Sequence, residues 1–129
     1  MKQDILDQLL KDREAKTAVA LATALDSGDQ ALIYHDNASG PLASNEEVVE
    51  AARTALRDDK SRIIPIGNGE TFIHVFNPPL RMILVGAVHI AQPLSRMASV
   101  AGYDVSVVDP RESFATPERF PNVNLVHEW

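Results

Sequence analysis

The sequence predicts an α/β protein: a small α+β N-terminal unit over residues 1–77, then a partial parallel βαβ unit over residues 78–129. Three observations predict it. Apolar residues recur at helical spacing within residues 5–10, 48–56 and 94–101. Two apolar runs, residues 81–85 and 104–108, bracket the last of these, as expected of parallel strands buried on both faces. Between the two halves stands Asn77-Pro78-Pro79, a stiff linker whose prolines cannot donate ladder hydrogen bonds.

Taken in order, Ile5, Leu6, Leu9 and Leu10 form one stripe of a first helix. Residues 17–25 are apolar with β-branched members and read as a strand, with a helix as competitor because of the alanines. Asp26-Ser27-Gly28-Asp29 is a turn, residues 31–35 a second strand, and residues 36–41 a loop by composition. Ser44 with Glu47 fits a capping box opening a helix through Val48, Val49, Ala52, Ala55 and Leu56, which ends near Arg57-Asp58. Residues 62–66 and 71–76 are strands joined by a tight turn at Asn68-Gly69. Beyond the linker, Leu94, Met97, Ala98 and Ala101 give the inner stripe of a helix closed by Gly102. Pro93 must lie in its first turn, so this helix begins near Ile90. Thr116-Pro117 caps a short helical turn, and residues 123–126 form a third strand.

The chain has 129 residues, no cysteine, and 12 Lys and Arg against 18 Asp and Glu, for a formal net charge of −6. The acidic balance argues against a surface built for nucleic acid. The missing cysteines exclude disulfides, Cys-ligated zinc, iron–sulfur clusters, a Cys nucleophile and a persulfide carried on these residues. The first residues lack the apolar core of a signal peptide, and the strongest apolar stretch, residues 82–88, is too short to span a bilayer. A cytoplasmic protein without a membrane partner is the expectation. His35, His74 and His127 show no metal-ligand spacing, and no Ser-His-Asp or paired-carboxylate arrangement emerges, so catalysis by the chain itself is not expected.

The informative segment runs from Arg81 to Asp109. Its turn reads Gly86-Ala87-Val88-His89-Ile90-Ala91. A Rossmann-type nucleotide turn asks for glycine at the first place, glycine at the second for close approach to phosphate, and glycine or alanine at the third. Gly86 and Ala91 fill the first and third, and Val88 departs at the second. Asp109 ends the next strand, where a carboxylate accepts hydrogen bonds from a ribose hydroxyl. The second unit is therefore the first part of a Rossmann-like domain. An occupied site and a βαβ that binds nothing both remain open on this pattern. His89 faces a ligand or bonds its own loop. Arg111, after the acidic strand end, reaches a phosphate or is solvated, and Arg119 is read as solvated.

The motifs Val75-Phe76-Asn77-Pro78-Pro79-Leu80-Arg81, Val85-Gly86-Ala87-Val88-His89-Ile90-Ala91-Gln92, Gly102-Tyr103-Asp104-Val105, Val108-Asp109-Pro110-Arg111 and Phe114 to Pro121 occur in this order. Together they resemble the XdhC/CoxI family, accessory proteins of molybdenum hydroxylases such as xanthine dehydrogenase and carbon monoxide dehydrogenase. The resemblance is strong from Thr71 onward and thin before it. It implies an accessory or chaperone protein that binds molybdenum cofactor (molybdopterin). Such a protein cooperates with a cysteine desulfurase in sulfurating the cofactor and aids its insertion into the client hydroxylase. By resemblance the cofactor-binding residues are Gly86, Ala87, Val88, His89, Ala91, Asp109 and Arg111. Many members carry glycine where Val88 stands, and a Ser-Gly-Gly-Cys-type segment near residues 41–45 that is missing here. The alternatives are an NAD(P)-binding piece of an oxidoreductase, with Asp109 favouring NAD, and an interaction module with a vestigial site. Three parallel strands leave apolar faces and an open edge, so a homodimer or a complementing segment is expected as partner.

Overall fold

The computed structural model describes residues 2–129. The chain folds as two compact units that meet in sequence between Pro78 and Pro79. The mixed α/β architecture is as the sequence predicts, with an antiparallel sheet in the first unit and a parallel one in the second.

The first unit holds helix α1 (Gln3–Glu14), strands β1 (Val19–Ala24), β2 (Gln30–Ile33) and β3 (Ala38–Ser39), a 3₁₀ turn (Pro41–Ser44), helix α2 (Glu46–Asp58), and strands β4 (Arg62–Ile66) and β5 (Gly69–Phe76). The five strands run in the order β3-β2-β1-β5-β4, each antiparallel to its neighbours. The alanines that left residues 17–25 open between helix and strand have a packing reason. Side chains alternate across a strand, so Ala20 and Ala22 join Val48, Ala52 and Ala55 of α2 in one core cluster. Val19 and Leu21 join Ile5 and Leu9 of α1 in another. β1 is thus buried on both faces, and the small residues admit α2 closely.

Several local expectations are corrected. In α1 only Ile5 and Leu9 of the predicted stripe are buried, while Leu6 and Leu10 are exposed. The buried polar residue of α1 is Asp12, which accepts from Gln8 Nε2 at 2.9 Å and from the Tyr34 hydroxyl at 2.6 Å. Burial and that bond push the Tyr34 phenol well above its usual range. The loop at residues 36–41 contains β3, paired through Leu32↔Ser39 and Ile33↔Ala38. Gly40 follows at φ +107°, where an added Cβ would stand 2.6 Å from the Gln30 carbonyl oxygen. The N-cap of α2 is Asn45 rather than Ser44: Asn45 Oδ1 accepts from the N–H groups of Glu47 and Val48. Ser44 instead closes the 3₁₀ turn, its hydroxyl donating to the Pro41 carbonyl at 3.3 Å. In the β4–β5 hairpin the left-handed residue is Gly67 at φ +60°, so the turn lies at Gly67-Asn68, one residue before the predicted place.

The second unit holds β6 (Arg81–Val85), α3 (Ala91–Val100), β7 (Asp104–Val108) and β8 (Asn124–Val126). The strands are parallel in the order β6-β7-β8, with Met82 opposite Val105 and Val107 opposite Leu125. One face of this sheet supplies Leu84, Val107 and Leu125 to a core with Ala87, Ala91, Ala115 and Phe120. The other face carries Ile83, 60% exposed, and Val85, 70% exposed. β6 is therefore an edge strand covered on one side, against the expectation of burial on both. In α3 the inward residues are Ala91, Ser95 and Ala98, and the predicted Leu94 and Met97 face outward. Small residues on the inner side bring the helix close to β7. Thr116 caps a single turn as expected, accepting from Phe120 N through its carbonyl at 3.0 Å.

The cap assignment is testable. Asn45→Ala should lower stability by about 1 kcal/mol, whereas Ser44→Ala should stay within about 0.5 kcal/mol of wild type in urea unfolding.

Candidate functional site

The residues singled out in the sequence gather where β6 and β7 end. Gly86 leaves β6 at φ +102°, in open space where an added Cβ meets nothing within 4 Å. Its N–H donates to the Val108 carbonyl at 2.8 Å, which extends the parallel ladder by one bond. Ala87 then turns into the core and is fully buried. Its N–H donates to Asp109 Oδ2 at 2.8 Å, across 22 residues of sequence.

Asp109 is the centre of this arrangement and is itself fully buried. Oδ1 accepts from Arg111 N and Arg111 Nε, both at 2.9 Å. Oδ2 accepts from Ala87 N at 2.8 Å and from Arg111 Nη2 at 2.7 Å. A carboxylate offers about four lone-pair sites, and all are taken. The side-chain bond from Arg111, its backbone N–H and that of Ala87 together hold the carboxyl well below the usual carboxylate range, against the opposing effect of burial. The sequence placed Asp109 against a ribose hydroxyl. The structure gives its oxygens to the protein's own loops.

After Ala87 the backbone offers donors. The N–H groups of Val88, His89 and Ile90 have no hydrogen-bond partner among the described residues, whereas their carbonyls accept from Ala91, Gln92 and Leu94. These three amides sit at the start of α3, whose first turn contains no acidic residue. Unpaired N–H groups at a helix start bind anions, since the helix dipole and the donors act together. The Val88, His89 and Ile90 side chains are exposed. The His89 side chain has no hydrogen-bond partner among the described residues, so it does not bond its own loop. Ala91 packs in the core and serves the site through the close approach of α3.

Two arginines border the cluster. The Arg111 guanidinium is fixed by Asp109 and lies 4.3 Å from the centre of the Phe114 ring. Arg119, read from the sequence as solvated, is half-buried and engaged: Nη1 donates to the Phe114 carbonyl at 2.6 Å, and the guanidinium lies 5.7 Å from the Phe114 ring. With the Gln92 amide oxygen turned toward it, Arg119 Nη2 also donates to that oxygen at 2.9 Å. Gln92 and Phe114 stand in the motifs that carry the resemblance, and neither is among the residues read as the site. The signal was the cluster of Phe and Arg residues downstream of Asp109. Among the described residues, no group of three His, Asp or Glu side chains stands close enough to hold a metal ion.

Residues 82–126 match the model of the XdhC Rossmann domain, so the XdhC resemblance of the turn and the Asp109 strand end is shown. The Escherichia coli K12 protein YqeB is 27% identical over 97 residues, which cover 63% of this chain and 18% of YqeB. Among solved structures, a chain from Bacillus halodurans described as a xanthine dehydrogenase superposes with a TM-score of 0.70 at 21% identity. That match covers 95% of this chain and 37% of the Bacillus chain, and it shows a shared fold. The chain thus spans well under half the length of either relative.

Asp109 makes an acid-sensitive prediction. Its carboxyl is held low in the folded state, so the stability it contributes is complete above the ordinary carboxylate pKa of about 3.9 and is lost as pH falls below it. Melting temperatures of the wild type should therefore drop from pH 5 toward pH 2. Asp109→Asn should lower the melting temperature at pH 7 and flatten that decline; an equally steep decline in both proteins counts against the assignment.

Proposed function

We propose that this chain is an XdhC-type accessory protein that holds molybdenum cofactor as cargo. It assists sulfuration of that cofactor with a cysteine desulfurase, and its insertion into a xanthine dehydrogenase- or carbon monoxide dehydrogenase-type hydroxylase. The observation that carries this reading is the row of three unpartnered amides, Val88 to Ile90, within the stretch that matches the XdhC Rossmann domain.

Molybdopterin presents a phosphate on a flat, polar ring system. The amides of residues 88–90 suit the phosphate, because neutral donors hold it without a large desolvation cost. Gly86 leaves room beside the backbone for close approach. Arg111 keeps one face on Phe114 and borders the same loops, and its Nη1 is the guanidinium nitrogen that Asp109 does not use. Asp109 acts as a positioning residue: it fixes both the Ala87 amide and Arg111. No step of covalent chemistry is assigned to the chain. It holds no cysteine, so the sulfur is carried by the desulfurase.

The same geometry weighs against the NAD(P) reading. Recognition of ribose through Asp109 needs a free acceptor, and its four sites are occupied. Val88 also stands where dinucleotide turns carry glycine. The uncovered apolar residues Ile83 and Val85 support association with a second copy or a complementing segment.

Anaerobic equilibrium dialysis with molybdenum cofactor tests the proposal. Saturable binding near one cofactor per chain is expected. Val88→Asp changes an exposed side chain and sets a carboxylate beside the amides, so it should weaken binding at least tenfold while leaving the melting temperature unchanged. No saturable binding, equal affinity in the Val88→Asp variant, or tighter binding of NAD overturns it.

A further inference from the structure

The first unit carries a concavity of its own, built without any residue of the second unit. It is a cleft of about 240 Å³ lined by Ala18, His35, Arg53, Leu56, Arg57 and Asn77. Four separate stretches converge on it: the entry to β1, the loop after β2, the middle of α2 and the end of β5.

Its charge is opposite to that of its surroundings. Residues before Pro79 hold 8 Lys and Arg against 13 Asp and Glu. Yet the lining has two arginines and a histidine, and no carboxylate. Arg53 and Arg57 are four residues apart on α2, a spacing at which like charges repel. Arg53 is held by Nε, which donates to the Tyr34 carbonyl at 3.3 Å; its two Nη groups have no partner among the described residues. Arg57 Nη2 donates to Thr54 Oγ1 at 3.0 Å and stands 3.6 Å from Glu50 Oε1, with the Arg57 and Glu50 side chains about two-thirds exposed, which leaves Nη1 and Nε for a ligand. Asn77 Nδ2 donates at 2.9 Å to the Leu56 carbonyl and at 2.9 Å to Asp59 Oδ1.

We infer that this cleft binds a small organic phosphate. The Nη fork of Arg53 matches two oxygens of a tetrahedral oxyanion, and Arg57 and His35 supply further donors around it. Ala18 and Leu56 give the apolar wall for the organic part. The volume limits that part to about one ring, below the range of sites that hold whole drug-sized ligands. A phosphate is favoured over a carboxylate because two arginines and a histidine converge, and a dianion with three terminal oxygens can engage all of them. This site is independent of the proposed cofactor role, since none of its residues belongs to the second unit.

The test titrates the full 129-residue chain with phenyl phosphate while backbone amides are followed by ¹H–¹⁵N NMR, with benzoate and inorganic phosphate as parallel arms. The expected result is saturable shifts centred on Ala18, His35, Leu56, Arg57 and Asn77, with benzoate at least tenfold weaker. Arg53→Gln should weaken phenyl phosphate at least tenfold. Arg57→Gln alters an exposed side chain that the fold does not need, and it should weaken binding several-fold, so the inference stays testable if the Arg53 variant unfolds. Val88→Asp should leave this binding unchanged, which separates the two sites. No saturable shift, equal affinity for benzoate, shifts confined to residues 86–91, or full affinity in the Arg57 variant overturns it. Inorganic phosphate binding as tightly as phenyl phosphate overturns the organic part of the assignment.

Discussion

A buried carboxylate with every lone pair in use is the constraint on which the second unit depends. Asp109 has lost its water, and a charge in that position is tolerable only when donors replace the solvent. Ala87 and Arg111 replace it with four hydrogen bonds. The consequence is mechanical. The loop after β6 and the loop after β7 are fastened to one another at the carboxyl ends of adjacent parallel strands. Open α/β sheets present ligands at that edge. With Ala87 anchored there, the next three amides open the first turn of α3, where no intrahelical acceptor exists for them. Arg111, held at its other side, becomes a rigid plate against Phe114 rather than a freely rotating side chain.

The two units solve the burial problem differently. In the first, β1 is the central strand, and its alternation sends alanines toward α2 and larger residues toward α1. Both faces are covered, and the sheet is antiparallel with short hairpin connections. In the second, α3 and the segment around Ala115 and Phe120 cover one face of a three-stranded parallel sheet. The opposite face keeps Ile83 and Val85 exposed. A parallel sheet is ordinarily stable when covered on both sides. The second unit therefore relies more on its polar latch and on the tight contact of small residues in α3 than on a two-sided core.

Much of this was legible in the sequence, for physical reasons that differ by element. Residues 81–85 and 104–108 announced themselves because apolar runs of that length, bracketing a helical stripe, have few other folds. The Gly86 turn and Asp109 were found because a glycine after one strand and an acid after the next mark the same edge of a sheet. The role of Asp109 was not legible. Whether a carboxylate faces a ligand or its own backbone depends on where an amide 22 residues away points. The cap of α2 was misplaced by one residue because Ser44 and Asn45 are both good caps, and the preceding 3₁₀ turn decides between them. The helical period fits Leu94, Met97, Ala98 and Ala101 as an inner stripe, and it fits Ala91, Ser95 and Ala98 equally well. The inner side of α3 is chosen instead by what fits against β7, and there alanine and serine fit. Arg119 looked like a solvated charge because its acceptors, the Phe114 carbonyl and Gln92, are set by tertiary geometry alone.

The electrostatics of the chain bear on both candidate sites in the same way. A net charge of −6 repels a phosphate-bearing molecule at long range, so diffusional steering does not favour capture. At physiological ionic strength that repulsion is screened beyond about 8 Å. Within that distance the local groups decide, and in both places donors line the site and no carboxylate does so unpaired. At the Gly86 turn, Asp109 is neutralised by Arg111 and sealed from solvent. At the first-unit cleft, Asp59 accepts a hydrogen bond from the lining residue Asn77. The same device recurs: an acidic residue next to the site is committed to a neighbouring donor, and its hydrogen bonds hold in place the groups that face a ligand. An anion bound at either place is selected by short-range geometry rather than by long-range attraction.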